Sequence, residues 1–218
     1  MIIFNIKQQA METKQVDISK AFRYGWELIK KDFWYFVGLS VVIVVIGGVS
    51  NSREEERVSF NLVGFLLNTW LTCGLLRILI DYYDGKKRKF TDLFTQFQYF
   101  WRILLATLLL GVIIILGLIF LIIPGVYLAL RYQFTLYFII DKNMDIGEAM
   151  KRSAALSENI KLSLFQFALA ALGVIILGAI ALGVGVFVAL PIVWLAYAYL
   201  YRNLVAKEAN GTAAAVNK

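Results

Sequence analysis

The chain has 218 residues, of which 60% are hydrophobic and 17% are charged, and its formal net charge is +7. Soluble domains are about 45–50% apolar, and a soluble fold of this length needs a polar surface. The composition therefore predicts a protein whose solvent is the lipid bilayer. The chain contains no His, which excludes imidazole acid–base chemistry and His metal ligands. Cys73 is its one cysteine, which excludes a disulfide within the chain.

The N-terminal segment, residues 1–16, lacks the apolar stretch and small-residue cleavage site of a secretory signal peptide. We expect this segment to be cytoplasmic and the first spanning helix to serve as the uncleaved insertion signal. Residues 207–218 are Ala-rich without apolar periodicity and predict a flexible cytoplasmic tail.

Apolar runs near the length of about 20 residues that a spanning helix needs fill most of the chain between these ends. We predict an all-α membrane protein with six transmembrane helices, at Phe33–Ser50, Phe60–Tyr82, Ile103–Ile123, Val126–Ile140, Leu162–Val186 and Val188–Ala206. Pro124 and Gly125 predict a tight turn between the third and fourth spans. Gly183 and Gly185 predict the turn before the sixth span, with Pro191 in the first turn of that helix.

The distribution of basic residues predicts the orientation. All but four of the 22 Lys and Arg lie before the first span, in the second and fourth connections, or from Arg202 onward. The exceptions are Arg53 and Arg57 in the first connection, and Arg77 and Arg131 within spans. Because cytoplasmic loops carry an excess of Lys and Arg, both termini are predicted to be cytoplasmic. Basic loops beside apolar runs are expected to contact anionic lipid headgroups, and no nucleic-acid partner is expected.

A similar amphipathic segment precedes each predicted pair of spans, starting at Ile18, Phe90 and Ile146. Each segment has apolar residues at i, i+3 and i+4, the spacing of one helical face. We predict three repeats of an interfacial amphipathic helix plus a helical hairpin, at about residues 17–84, 85–141 and 142–206, which form a membrane domain at 17–206. The interfacial helices either fix the angle at which the next span enters or bind a partner or sense lipid charge.

Three details of these segments are predicted. The first has an apolar stripe of Ala21, Phe22, Trp26, Ile29 and Phe33, and the second has one helical face with Phe90, Leu93, Phe94, Phe97, Trp101 and Leu104. In the third segment, Asp145 as N-cap and Glu148 predict a capping box.

Arg131 is the most suggestive candidate site residue. It lies seven residues after Pro124, which is about 10 Å along a helix and would place its guanidinium inside the hydrocarbon. An intramembrane Arg costs about 2.5–3.5 kcal/mol on insertion scales. We therefore expect backbone carbonyls, Asn68 or an anionic ligand as its partner. The alternative is a structural role, with the side chain snorkelling or packing.

Arg77 and Asp81 are spaced i, i+4 and are expected to neutralise each other on one helix face. Asn68, Thr69 and Thr72 predict either interhelical hydrogen bonds or a ligand site. The candidate ligand-binding set is therefore Arg131, Asn68, Arg77 and Asp81. No catalytic residue, metal ligand or cofactor is predicted.

Several short stretches carry a resemblance to a known family: Ile122–Tyr132 (IIPGVYLALRY), Ile146–Ser153 (IGEAMKRS), Leu190-Pro191 and Tyr201–Leu204 (YRNL). Over about residues 15–205 the chain resembles the six-helix membrane domain fused to some glycerophosphoryl diester phosphodiesterases, and related uncharacterised prokaryotic integral membrane proteins. The resemblance implies a multi-pass protein of the prokaryotic cytoplasmic (inner) membrane with unassigned biochemistry. The phosphodiesterase activity of that family belongs to a separate soluble domain, so no catalytic residue is carried over.

The leading functional hypothesis is a non-enzymatic membrane scaffold or accessory subunit, with a protein partner or a second copy of the chain. The alternative is a small transporter, channel or lipid- or anion-binding protein with a site around Arg131. An intramembrane enzyme is disfavoured because acidic residues are scarce inside the spans, whereas hydrolysis needs a positioned base.

Overall fold

A computed structural model describes residues 16–51, 62–86, 88–181 and 183–216. The α-helices of this part are α1 Ile18–Lys31, α2 Phe33–Asn51, α3 Leu62–Tyr83, α4 Phe100–Phe120, α5 Ile122–Tyr132, α6 Thr135–Lys142, α7 Ile146–Leu156, α8 Lys161–Ile180 and α9 Val186–Val216. Two short 3-10 helices, Phe90–Phe94 and Phe97–Tyr99, precede α4. The described residues contain no strand, which confirms the all-α class. Residues 1–15 and the first connection with Arg53 and Arg57 lie outside the described residues. Helix α9 continues into the predicted tail.

Five helical stretches are long and apolar enough to cross a membrane: Leu62–Tyr83, Phe90–Phe120, Ile122–Lys142, Lys161–Ile180 and Val186–Asn210. They overlap the second to sixth predicted spans, with different ends. In the first predicted span, Phe33–Gly47 is a shorter apolar helix. By helix length and composition the protein is thus a candidate multi-pass membrane protein, as predicted. The first of the six predicted crossings, through α2, stays a prediction.

The inside of the bundle is formed by α3, by α9 and by the α6 half of the stretch Ile122–Lys142. That stretch is 33% buried, and its buried residues lie mainly in α6. In the apolar stretches of α3 and α9, 56% and 50% of the residues are buried, against 28% for Phe90–Phe120 and 17% for α8. Helix α3 packs against both α6 and α9. Aromatic rings join α6 to α9, where Tyr201 lies 5.1 Å from Tyr137 and 5.2 Å from Phe138 between ring centroids. We call α3, α6 and α9 the inner helices.

The outer helices present apolar side chains outward. Ile119 is 72% exposed, Phe120 79% and Ile180 73%. Apolar patches of this extent are uncommon on soluble monomers. Lipid contact would cover them, which agrees with the bilayer as the solvent of this chain.

The hairpin between α4 and α5 differs from the prediction. Its turn is at Leu121, which is extended (φ −168°, ψ 145°), and Pro124 lies inside the first turn of α5. Proline is tolerated there because the first N–H groups of a helix have no partner within the helix. Gly125 instead allows close packing, since a Cβ at that position would lie 2.8 Å from the backbone nitrogen of Leu118.

The turn before α9 contains Gly183, as predicted, with a positive φ of 73°. Gly185 allows close approach to α8, because a Cβ there would lie 3.1 Å from the Cα of Gly178. The placement of Pro191 in the first helical turn was wrong. The helix starts at Val186, so Pro191 lies inside it, where it donates no hydrogen bond to the preceding turn.

The amphipathic segments are less regular than predicted. The second is not one helix, because two 3-10 helices precede α4. Its residues do not share a buried face: Leu93 and Leu104 are buried, whereas Phe97 and Trp101 are 59% and 64% exposed. In the first segment, Ala21 and Ile29 are fully buried but Trp26 is 43% exposed.

Helix starts also differ from expectation. Asp17 caps α1, because its Oδ1 accepts a hydrogen bond of 3.0 Å from the backbone N–H of Lys20. Asp145 is the N-cap of α7, but its side chain makes no capping hydrogen bond. The predicted capping box with Glu148 is therefore not formed, although the position of the helix start was correct.

Each amphipathic segment packs against one inner helix. Helix α1 lies on α9, the first 3-10 helix on α3, and α7 on α6. Glycines make two of these contacts close: a Cβ on Gly25 would lie 2.7 Å from the carbonyl oxygen of Ile192, and one on Gly74 would overlap the carbonyl of Leu93. Any larger side chain would push these elements apart. The two glycines therefore allow the amphipathic segments to lie close against the bundle.

Candidate functional site

The predicted pair of Arg77 and Asp81 forms at the end of α3. The Nε of Arg77 donates to Oδ2 of Asp81 at 3.0 Å, and the carboxylate is 2% exposed. A second cation, Arg88, donates to the same oxygen at 2.8 Å and lies 3.7 Å from Asp92 in the 3-10 helix. The cluster therefore joins the inner helix to the segment that packs on it.

Sequence reasoning missed Arg88 because it contacts Asp81 across a turn. The chain reverses at Gly85, which has a φ of 77°, so helical spacing does not reveal the contact. Both guanidinium groups donate charge-assisted hydrogen bonds to Oδ2 of the buried Asp81 carboxylate. That oxygen therefore has little capacity left to bind a ligand. Its chemistry is structural: it neutralises a buried charge and fixes the helix end.

A second ionic cluster connects the ends of all three inner helices. Arg202 on α9 contacts Asp84, which follows α3, and its Nη1 lies 3.0 Å from Oδ1 of Asp141 on α6. The hydroxyl of Tyr201 donates to Oδ2 of Asp141 at 2.9 Å, and Nζ of Lys142 lies 3.4 Å from it. Arg202 is only 16% exposed and the Asp141 carboxylate 7%. We call Asp84, Asp141, Tyr201 and Arg202 the inner-end cluster.

This cluster was also missed, although a signal existed. Asp81, Asp141 and Arg202 each occupy a similar place near the end of the second span of a hairpin. Opposite charges at equal depth on neighbouring spans are expected to pair. Arg202 had been counted only among the tail charges, and Asp141 had not been considered.

Aromatic residues line the contact of α1 with the bundle. The Tyr24 ring centroid lies 4.9 Å from that of Tyr199 and 5.5 Å from that of Tyr83. Burial there raises the pKa of Tyr24 to about 12. At the start of α1, the backbone N–H of Lys20 and then its ammonium group lower the pKa of Asp17 to about 2. Asp17 therefore stays ionised as a cap, and Tyr24 stays neutral, over the physiological range.

Arg131 lies in a cleft between α5, α7 and α8. The cleft has a volume of about 280 Å³ and is lined by Tyr127, Arg131, Lys151, Ala154, Ala155, Glu158 and Lys161. Helix α5 ends at Tyr132 and the chain breaks before α6, which brings Arg131 beside the first residue of α8. The guanidinium carbon is 5.7 Å from the centre of the Tyr132 ring.

Ser153 of α7 holds the break between α5 and α6. Its hydroxyl donates to the carbonyl of Arg131 at 3.0 Å and accepts from the N–H of Phe134 at 3.2 Å. Two backbone groups that the interrupted helix leaves without a partner are thereby satisfied. The position of Arg131 is fixed by this contact between two distant parts of the chain.

Asn68 lines a different cavity from Arg131. This cavity, of about 300 Å³, is lined by Ile43, Asn68, Leu71, Thr72, Leu75, Leu76, Leu79, Tyr137 and Trp194. The hydroxyl of Thr72 donates to the carbonyl of Asn68 at 2.8 Å, and that of Thr69 to the carbonyl of Phe65 at 2.8 Å. Both threonines thus bond within their own helix, a common use of hydroxyls in apolar helices.

The four predicted site residues therefore occupy three places. Arg77 and Asp81 bond to each other, whereas Asn68 and Arg131 line separate cavities. In the described part of the chain, no group of three or more His, Cys, Asp or Glu could hold a metal ion. No family model, curated protein or solved structure matches the chain. The resemblance to the phosphodiesterase-fused membrane domain stays a prediction.

Proposed function

We propose that this protein is a non-enzymatic scaffold or accessory subunit of the prokaryotic cytoplasmic membrane, with six crossings and both termini in the cytoplasm. The observation that carries the proposal is the inner-end cluster, in which Arg202 contacts both Asp84 and Asp141. These charges bind one another and hold three spans together. A protein that acts through helix packing needs such fixed ends.

Contacts between distant residues support the proposed topology. Asp84 and Asp141 follow the second and fourth proposed crossings, and Arg202 lies near the end of the sixth. Such residues can pair only if those helices end on the same side of the membrane. Arg102 and Asn143 form a further contact of this kind, at 2.7 Å. The excess of Lys and Arg on these ends supports a cytoplasmic assignment.

The packing of the amphipathic segments supports a threefold repeat. The second segment lies on the inner helix of the first proposed repeat, and the third on that of the second. The first segment, α1, lies on the inner helix of the third repeat, which closes the arrangement into a ring. This pattern is what we expect if each interfacial helix fixes the position and angle at which the next hairpin enters the membrane.

The transporter or channel alternative needs a polar path through the bundle. Arg131 and Asn68 line separate cavities, and the cavity at Asn68 is mostly apolar. We therefore favour the scaffold, which requires no path.

Native mass spectrometry of the full chain in mild detergent, together with a flux assay in proteoliposomes, tests the proposal. We expect a stoichiometric complex with a second copy or another protein chain, and no accelerated release of entrapped chloride or phosphate. A monomer that releases either ion faster than empty vesicles would contradict the scaffold and support the transporter.

A further inference from the structure

The cleft around Arg131 differs in charge from the ionic clusters of the bundle. Three of its lining side chains are cationic, Arg131, Lys151 and Lys161, against one carboxylate, Glu158. Each belongs to a different helix or helix end, so the fold gathers these charges from separate parts of the chain. We call the residues lining this cavity the basic cleft.

The cations of the basic cleft have no ion-pair partner among the residues that the structure describes. Most of the described Arg residues contact carboxylates, namely Arg23, Arg77, Arg88, Arg152 and Arg202. Arg131 contacts no carboxylate in the described residues, and its Nε is buried without a hydrogen-bond acceptor there. A buried guanidinium N–H without an acceptor is costly, and an anion in the cleft would supply one.

The cleft is held in place from two sides. Ser153 fixes the carbonyl of Arg131, and Nζ of Lys161 lies 4.6 Å from the centre of the Tyr127 ring. On the wall formed by α7, Ala154 and Ala155 carry only methyl groups. Space for a ligand therefore remains between the cations.

The surroundings of the cleft are apolar on the α8 side. Leu162, next to Lys161, is 71% exposed, and Phe165 is 39% exposed. A basic site bordered by exposed apolar residues suits a ligand with a charged head and an apolar tail.

We propose that the basic cleft binds a phosphate group, either that of an anionic phospholipid headgroup or free inorganic phosphate. The planar guanidinium of Arg131 can donate two parallel hydrogen bonds to one phosphate, while the lysines act as point charges. The carboxylate of Glu158 would repel an anion whose negative charge extends over the whole cleft. The cleft therefore favours a compact anion that stays near the cations. The inference goes beyond the scaffold function and does not depend on it, because a scaffold can hold a lipid without transporting it.

The test measures binding to the full chain in neutral detergent by native mass spectrometry. The probes are phosphatidylglycerol, phosphatidylcholine as the neutral lipid, and inorganic phosphate. Arg131→Gln and Lys161→Gln each remove one cation of the cleft. Lys30→Gln is the matched control, because Lys30 is exposed on α1 and lies over the Trp26 ring at 5.0 Å.

We expect wild type and Lys30→Gln to retain phosphatidylglycerol in preference to phosphatidylcholine. Each cleft variant should bind it roughly tenfold more weakly, the effect of losing one charge-assisted hydrogen bond. If inorganic phosphate displaces phosphatidylglycerol, the cleft recognises the phosphate group of the lipid. If inorganic phosphate binds in the absence of lipid, free phosphate is itself a ligand.

Lys151→Gln provides a second variant if Arg131→Gln fails to fold, because Lys151 is exposed and its replacement leaves the break between α5 and α6 intact. Monodisperse elution of each variant confirms folding. Equal binding of phosphatidylglycerol by wild type and all cleft variants would overturn the proposal, as would the absence of any phosphate or phosphatidylglycerol binding by wild type.

Discussion

Arg202 and Asp141 join two inner helices: Nη1 of Arg202 lies 3.0 Å from Oδ1 of Asp141, and the same guanidinium contacts Asp84. The pair is largely shielded from water, with Arg202 16% and Asp141 7% exposed. Breaking one partner of a buried pair leaves an uncompensated charge. The stability of the bundle should therefore depend on this contact far more than on any surface ion pair.

Arg202→Gln is expected to lower the free energy of unfolding by about 3 kcal/mol, the low end of the range for breaking a buried ion pair. The physical reason is that Asp84 and Asp141 lose the guanidinium that they share, and only the ammonium group of Lys142 remains near Asp141. Unfolding in mixed detergent, followed by the signal of the buried tyrosines, measures the change.

Arg23→Gln serves as the control for that variant. Arg23 pairs with Glu27 on the surface of α1, and its side chain is 80% exposed, so the expected change is at most about 0.5 kcal/mol. Equal losses for the two variants would contradict a special role for the inner-end cluster.

Asp81→Asn is expected to destabilise the contact between α3 and the 3-10 helix Phe90–Phe94. Without the carboxylate, the partly buried guanidinium groups of Arg77 and Arg88 lose their shared partner and repel each other, at a cost of about 1–3 kcal/mol. Amide hydrogen exchange should quicken in residues 88–94. The additional replacement Arg77→Met should restore part of the protection, because it removes one of the two like charges.

Gly74→Ala should displace the first 3-10 helix, because the new methyl group would overlap the carbonyl of Leu93. Overpacking of this kind costs about 1–3 kcal/mol. Gly173→Ala is the matched control, since nothing lies within 4 Å of a Cβ there and alanine favours the helix by about 1 kcal/mol. Thermal unfolding of both variants measures the difference, and a Gly74→Ala protein as stable as wild type would show that the contact is looser than described.

Asp17→Ala should loosen the first turn of α1, whereas Asp145→Ala should leave α7 almost unchanged. The reason is that the Asp17 side chain caps its helix and the Asp145 side chain makes no capping hydrogen bond. Hydrogen exchange at residues 18–21 and 146–149 compares the two.

The cap at Asp17 also has a defined pH dependence. Its pKa is lowered from 3.8 to about 2, so the unfolded chain takes up a proton first as the pH falls. The stabilisation is complete above the unfolded value, decreases between it and about 2, and is lost below. Exchange at residues 18–21 should therefore be insensitive to the cap's ionisation near neutral pH and change only in strong acid.

Sequence reasoning predicted the helical class and the approximate positions of the apolar spans because these follow from residue type over long windows. It predicted the Arg77–Asp81 pair because two residues spaced i, i+4 are neighbours on one helix face. It misplaced the turn at Leu121 because Pro124 was read as a turn residue, although proline is also accepted in the first turn of a helix.

The site could be predicted only in part. The contact of Arg202 with Asp84 and the position of Arg131 in its cleft depend on which helices are neighbours. Local sequence spacing does not predict which helices pack together. The single-helix interpretation of residues 90–104 failed because tertiary contact with α3 favours a 3-10 segment over helical periodicity. Gly74 permits that contact, but the reason for a glycine at this position cannot be inferred until Leu93 is known to be its neighbour.

The central claim is that the chain crosses the membrane an even number of times, with the inner-end cluster and both termini at the cytoplasmic face. Labelling of single cysteines by a membrane-impermeant maleimide, in intact cells and after lysis, tests it most directly in a chain carrying Cys73→Ala. Lys89→Cys, Lys142→Cys and Asn210→Cys should react only after lysis, and Leu121→Cys and Val184→Cys already in intact cells. Reaction of Asn210→Cys in intact cells, with Lys89→Cys still protected, would contradict the account.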